Sequence, residues 1–185
     1  MSLTQSNYTQ TPAALPNAMV IFGAGGDLTK RKLIPALLHL CDARLLPDSF
    51  AVLGLDRLEL DDDSFRDLMG EHIRDHVGAA FDQAVWERLV ERLHYMQIDM
   101  LEGTDYGRLR ERLSEIDVQR GTEGNYLFYM AIPPSLFPRV TSRLGEAGLL
   151  RETENDWRRV RRREAVRAGP GIRGGTQPRA APQYG

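Results

Sequence analysis

The residues best suited to chemistry come early in the chain, in Gly23-Ala24-Gly25-Gly26-Asp27-Leu28-Thr29-Lys30-Arg31-Lys32. Glycines lack a Cβ, so backbone N–H groups can approach a phosphate closely. A helix opening directly behind them adds unpaired N–H groups and a partial positive charge. Lys30, Arg31 and Lys32 bring three cations to the same place, and Lys30 and Lys32 are the only lysines among 24 basic residues. The combination suits the pyrophosphate of a nucleotide or dinucleotide. It is not a strict Gly-x-Gly-x-x-Gly fingerprint, because Leu28 stands where the third glycine belongs, and an ordinary glycine turn before a helix fits the bare glycines almost as well. A Walker A loop fits worse, since Leu28-Thr29-Lys30 replaces the Gly-Lys-Ser/Thr that would end it.

A second position of interest is Leu53-Gly54-Leu55-Asp56-Arg57. In a dinucleotide-binding sheet the adenosine ribose lies at the end of the second strand. An acid there favours the 2′-hydroxyl of NAD and an arginine the 2′-phosphate of NADP. Asp56 and Arg57 present both side by side, so charge alone leaves the choice open; two solvated loop charges are the alternative. The histidines carry no assigned chemistry. His72 and His76 have the i, i+4 spacing of a metal pair but sit among surface charges, which reads as a solvated helix face, while His39 and His94 read as packing or edge residues. Cys41 is the single cysteine, which excludes an internal disulfide and a cysteine-based metal site and suits buried packing. Neither a catalytic residue nor a metal ligand is therefore expected in this chain.

The elements that must position the loop follow from periodicity. Ala18 to Phe22 is a short apolar run, the glycines break it, and Leu28 to Leu46 shows helical spacing through Leu33, Ala36, Leu37 and Leu40. Pro35 argues against a straight helix there. Ala51 to Leu55 is a second buried-type strand. Asp61-Asp62-Asp63-Ser64 caps a helix carrying Phe65, Leu68, Met69 and Ile73, and a further helix over Val85 to Leu93 has Trp86, Leu89, Val90 and Leu93 on one side. His94 to Ile98 reads as a third strand, Thr104 to Ile116 as a helix, Asn125 to Ile132 as a fourth strand stopped by Pro133-Pro134, and Pro134 to Leu150 as the last helix. Apolar strands alternating with amphipathic helices predict an α/β, Rossmann-like, doubly wound parallel sheet with helices on both faces, incomplete at its C-terminal end.

Composition frames this domain. The chain has 185 residues, 42% hydrophobic and 27% charged, enough apolar material for a core. It has no apolar run near the roughly 20 residues a membrane span needs. Met1 to Asn17 is polar and lacks a basic n-region followed by an apolar h-region, so it reads as a disordered arm rather than a secretory signal, and a cytoplasmic protein is expected. The formal charge of −2 hides a division. Residues 158–185 hold eight arginines and one glutamate, net +7, and the rest is net −9. Periodicity stops at Arg158 and Arg, Gly, Pro and Ala take over, so the domain is placed at residues 18–160 and a disordered basic tail at 161–185.

The stretch from Phe22 to Leu37 resembles the nucleotide loop of the glucose-6-phosphate dehydrogenase family, whose pattern is Gly-Ala-x-Gly-Asp-Leu-x-x-Arg/Lys-Lys-x-x-Pro. The likeness continues through Gly54 to Arg57, where the family has Gly-x-x-Arg, and through Asn125 to Pro134, where it has Leu-Phe-Tyr-x-Ala-x-Pro-Pro; it covers residues 18–160. The resemblance implies that Gly23, Ala24, Gly25, Gly26, Asp27, Leu28, Thr29 and Lys30 bind the cofactor phosphates. It places Arg57 on the 2′-phosphate of NADP and Tyr129 near the bound cofactor. The family usually has a small residue before that arginine, so Asp56 argues against a strict NADP preference. The resemblance also implies hydride transfer from C1 of glucose 6-phosphate to NADP, giving 6-phosphogluconolactone in the oxidative pentose phosphate pathway. It implies a soluble homo-oligomer with no nucleic-acid or membrane partner. The general-base histidine belongs to a later Arg-Ile-Asp-His-Tyr-Leu-Gly-Lys motif that these 185 residues do not contain, so the chain as it stands is expected to be inactive.

The resemblance breaks off after Trp157-Arg158-Arg159-Val160, where the family continues Val-Val-Glu-Lys-Pro-Phe-Gly. Reading each codon's last two bases with the next codon's first base, residues 161–168 allow that same run, and Ala168 to Ile172 allow Arg-Asp-Leu-Glu. Residues 161–185 are thus expected to be a frameshifted translation. A natural basic tail that binds an anionic partner, on a non-catalytic nucleotide-binding module, is the alternative, and an unrelated α/β protein with a glycine turn is a third reading. Loss of the family's next strand would leave the fourth strand as an exposed parallel edge.

Overall fold

A computed structural model describes residues 14–162. Five strands form one wholly parallel sheet: β1 (Asn17–Phe22), β2 (Phe50–Asp56), β3 (Leu93–Gln97), β4 (Tyr126–Met130) and β5 (Arg158–Arg162). Their spatial order is β3-β2-β1-β4-β5, with register Ile21↔Gly54 between β1 and β2 and Ile21↔Tyr129 between β1 and β4. Parallel neighbours require crossovers, and five helices supply them: α1 (Ile34–Asp42), α2 (Asp62–Val77), α3 (Gln83–Val90), α4 (Asp105–Arg120) and α5 (Phe137–Glu146).

The sheet separates two apolar clusters. On one face Val20, Phe22, Leu53, Leu55 and Phe128 pack with Tyr106, Leu109, Leu113 and Ile116 of α4 and Val140 and Leu144 of α5. On the other, Met19, Ile21 and Val52 pack with Ile34 and Leu37 of α1, Phe65, Met69 and Ile73 of α2, and Trp86 and Leu89 of α3. The doubly wound α/β architecture expected from the sequence is the one found. Cys41 is free and buried, its thiol 3.9 Å from the Val85 carbonyl, as a packing residue should be.

Several expectations are corrected. In α1 the buried residues are Ile34, Pro35, Leu37, Leu38 and Cys41, while Ala36 and Leu40 face solvent. The cause is local. Thr29–Leu33 forms a π-helical turn directly before Pro35, whose missing N–H leaves the carbonyl four residues back without its α-helical partner. The extra residue in that turn rotates everything downstream. Leu93, read as the end of a helix, is the first residue of β3, because α3 stops at Val90. Asn17 belongs to β1 rather than to the arm; its N–H donates to the Ser49 carbonyl at 3.1 Å.

The largest difference is at the last strand. Ordered structure was expected to end by Val160, leaving β4 as a bare edge. Instead Arg158–Arg162 pairs with β4 along its whole length, Phe128↔Val160 at the centre. Strand pairing is made by backbone N–H and C=O groups, which are indifferent to side chains, and at an edge the arginines stay in water. Two of them also meet aromatic rings: the Arg158 guanidinium lies 4.2 Å from the Tyr126 ring centroid and 3.1 Å from the Asp156 carboxylate, and that of Arg159 lies 4.8 Å from the Trp157 ring centroid. The expected arm before residue 14 and the tail after residue 162 lie outside the described residues.

Candidate functional site

The glycine loop leaves the carboxyl end of β1 and is fastened on three sides. The Gly23 and Ala24 N–H groups both donate to the Leu55 carbonyl of β2, at 2.9 and 3.1 Å. The Gly26 N–H donates back to the Gly23 carbonyl at 3.1 Å, closing a tight turn. The Thr29 hydroxyl, fully buried, donates to the same carbonyl at 3.2 Å. Gly23 sits at φ +86°, and a Cβ there would lie 2.7 Å from the Ala131 carbonyl oxygen, so this position requires glycine twice over. Ala24 is fully buried among the α1–α2 face residues.

Of the residues predicted to bind phosphates, Gly23, Gly25, Gly26, Asp27, Leu28 and Lys30 remain at least partly open to solvent, while Ala24 and Thr29 are buried. Those two shape the turn from within. Behind it Lys30, Arg31 and Lys32 line a cleft of about 510 Å³ whose other walls are Asp27 and, from α2, His72, Asp75 and His76. His72 and His76, read as part of a solvated helix face, thus line the same cleft as the cationic end of the loop. Among the described residues, no three His, Cys, Asp or Glu side chains group closely enough to hold a metal ion.

At the end of β2 the Asp56 carboxylate accepts the Gly25 N–H at 2.8 Å through Oδ2 and the Arg57 N–H at 2.7 Å through Oδ1. Arg57 is exposed and borders a cleft of about 290 Å³ with Gln97, Ile98, Asp99, Asp105 and Arg108. Arg108 of α4 is a second cation for this cleft and was not found from the sequence, because nothing in its spacing distinguishes it from other exposed helix arginines. Tyr129 stands on β4 opposite Ile21, partly buried against the α1–α2 face. The part of β4's exit that touches the loop is Ala131 with Ile132, whose Cγ2 lies 3.0 Å from a Cβ built on Gly23. Their contact depends on the β1–β4 register and so has no sequence signature.

A glycine turn at the carboxyl end of the first strand, a helix opening behind it, and an acid and an arginine at the end of the second strand in a 3-2-1-4-5 sheet define the class of dinucleotide-binding α/β domains. Residues 20–161 match the family described as "Glucose-6-phosphate dehydrogenase, NAD binding domain", and the chain belongs to that family. It is 36% identical over 145 residues to Glucose-6-phosphate 1-dehydrogenase 2 of Mycobacterium tuberculosis (strain ATCC 25618 / H37Rv), covering 78% of this chain and 28% of that protein. With the Glucose-6-phosphate 1-dehydrogenase of Aggregatibacter actinomycetemcomitans it shares 42% over 142 residues, 77% of this chain and 28% of the relative. A solved structure titled "Glucose-6-phosphate dehydrogenase in complex with its substrate glucose-6-phosphate" superposes with a TM-score of 0.67 at 28% identity, over 79% of this chain and 30% of the other. The enzyme from Mycobacterium avium gives 0.65 at 29% identity, over 79% and 29% of the two chains. The chain thus spans less than a third of the length of these relatives.

Proposed function

We propose that this chain is the NADP-binding domain of a glucose-6-phosphate dehydrogenase. The observation that carries the reading is the convergence of the Gly23–Lys30 turn, the Asp56-Arg57 strand end and Arg108 at the carboxyl ends of β1, β2 and β3. The donor set suits the cofactor. The N–H groups of the helix start at Asp27–Thr29 and the Lys30 cation would hold the pyrophosphate, Arg57 and Arg108 the 2′-phosphate, and Tyr129 would lie along the path toward the nicotinamide. When bound, NADP would supply the hydride acceptor for oxidation at C1 of glucose 6-phosphate. The residues here bind and orient, and the proton-accepting base lies outside this chain. The whole protein would act in the cytoplasm as a homo-oligomer.

Calorimetry with the 185-residue chain tests this. Arg57→Ala is expected to weaken NADP binding by about ten- to a hundredfold, the worth of one charge-assisted phosphate contact, while sparing NAD. An NADP to NAD ratio unmoved by the change would remove Arg57 from the site. The purified chain should not turn over glucose 6-phosphate with NADP, and measurable turnover would overturn the division of labour proposed.

Residues 161–185 are, on the same reading, translated out of frame. Supporting this, the family match stops at residue 161, and the outer half of β5 carries exposed arginines where parallel strands carry apolar residues. Resequencing the source DNA across codons 155–185 decides it: a restored Val-Val-Glu-Lys-Pro-Phe-Gly with an open frame beyond supports the proposal, and an unaltered frame with no such run in the neighbouring one ends it.

A further inference from the structure

Asp56 occupies the place where an adenosine ribose should lie, and its geometry says more than its charge. Both carboxylate oxygens are tied to backbone, Oδ2 to the Gly25 N–H at 2.8 Å and Oδ1 to the Arg57 N–H at 2.7 Å. Rotating the carboxylate away would break both bonds at once and leave the loop tied to β2 only through the Gly23 and Ala24 N–H groups on the Leu55 carbonyl. The Leu58 side chain closes the same corner, its Cδ1 only 2.6 Å from where a Cβ on Gly25 would stand. The carboxylate is therefore a fixed wall of the site. The Arg57 side chain, one residue on, is exposed and holds no such position: the hydrogen bonds of this residue are made by its backbone, the N–H to Asp56 and the carbonyl that accepts from Gln97 Nε2 at 3.2 Å.

A fixed carboxylate does two opposite things for two cofactors. Each oxygen has a lone pair beyond the one its N–H partner uses, so it can accept from the ribose 2′- and 3′-hydroxyls of NAD. Against NADP, the same negative charge faces a 2′-phosphate across a few ångströms, and Arg57 with Arg108 must offset that repulsion before adding any attraction. We infer that Asp56 sets cofactor choice in this domain, latched to the glycine loop so that the site accepts NAD and NADP with affinities within about tenfold of each other. The inference rests on the dinucleotide-binding function proposed above.

The test is calorimetric titration of the full chain with NAD and with NADP, for the native sequence, Asp56→Asn and Asp56→Ala, each checked for folding by circular dichroism and urea midpoint. Asp56→Asn keeps the shape and one acceptor for the loop while removing the charge. It should strengthen NADP binding and weaken NAD binding, moving the ratio by about ten- to a hundredfold, and Asp56→Ala should move it the same way. Adenosine 5′-monophosphate and adenosine 2′,5′-bisphosphate provide a second measurement on the native chain, free of the pyrophosphate contacts and of any folding defect: their affinities should also lie within about tenfold. If both dinucleotides bind and neither variant moves the ratio, Asp56 does not set the choice, and a native preference of more than about tenfold for either cofactor overturns the near-equal affinities inferred. If the folded native chain binds neither dinucleotide and neither adenosine phosphate, the dinucleotide-binding reading itself fails.

Discussion

At the scale of single residues, the loop is held by contacts that tolerate almost no side-chain volume. Gly23 combines a left-handed φ of +86° with a carbonyl oxygen 2.7 Å from the position a Cβ would take. Gly23→Ala is expected to cost about 1–3 kcal/mol of stability and to disturb the turn that leads into the N-terminal helix behind it. Urea unfolding and NADP titration of the same preparation would check both parts. An unchanged midpoint would mean that β4's exit can withdraw from the loop at no cost. Arg108 makes a more selective test, since it is exposed on α4 and among the described residues pairs only with Asp105 of its own helix, at 3.3 Å. Its replacement by alanine should leave stability within about 0.5 kcal/mol and lower NADP affinity several-fold, with little effect on NAD. Equal losses for both cofactors would place Arg108 away from the 2′-phosphate.

Among the elements, α2 is the one whose placement is most visibly engineered by a single side chain. Asp61 caps the helix through a reciprocal box with Ser64. The next residue, Asp62, turns inward and fastens three elements. Its carboxylate accepts the Tyr95 N–H of edge strand β3 at 2.7 Å, meets His94 Nδ1 at 3.2 Å, and pairs with Arg112 of α4 at 2.8 Å and Arg66 of its own helix at 3.8 Å. Burial pushes this carboxyl up, but the His94 and Tyr95 hydrogen bonds and the Arg112 charge outweigh it and bring it down from 3.8 to about 2. A group whose folded pKa is depressed stabilises the fold above its unfolded pKa and loses that contribution as pH falls through the folded value. Stability should therefore drop by about 2 kcal/mol between pH 5 and pH 2 through this group alone. Asp62→Asn should remove most of that slope while lowering stability at pH 7, measured by denaturant unfolding across the range. A slope identical to the native chain's would show that the α2–β3–α4 junction does not depend on the charge.

For the molecule as a whole, the question is how an open parallel sheet ends. On one side β3 is guarded by Asp62, which takes up a backbone N–H that a second strand could otherwise use. On the other, β5 presents Arg159, Arg161 and Arg162 to solvent, with Val160 42% exposed between them. Charge along an edge opposes pairing with another copy. Replacing Arg159 and Arg161 by valine is expected to raise light scattering at low ionic strength and to leave the native chain's behaviour behind. Scattering indistinguishable from the native chain would show that the arginines do not protect this edge. Among the described residues no helix is long and apolar enough to cross a membrane.

The alternation of apolar runs and amphipathic helices determined the parallel sheet with both faces covered. Burial of both strand faces demands continuous apolar runs, and crossovers demand helices between them, so local pattern suffices. The glycine loop and the Gly-x-x-Arg strand end were legible because their glycines answer local steric needs. Tertiary structure decided what depends on register and rotation. The π turn before Pro35 rotated α1 by a residue, the β1–β4 register put Ala131 against Gly23, and packing of α4 brought Arg108 beside Arg57. Backbone pairing recruited an arginine-rich segment as β5, since the hydrogen bonds of a ladder do not read side chains, and side-chain pattern is all that a sequence displays.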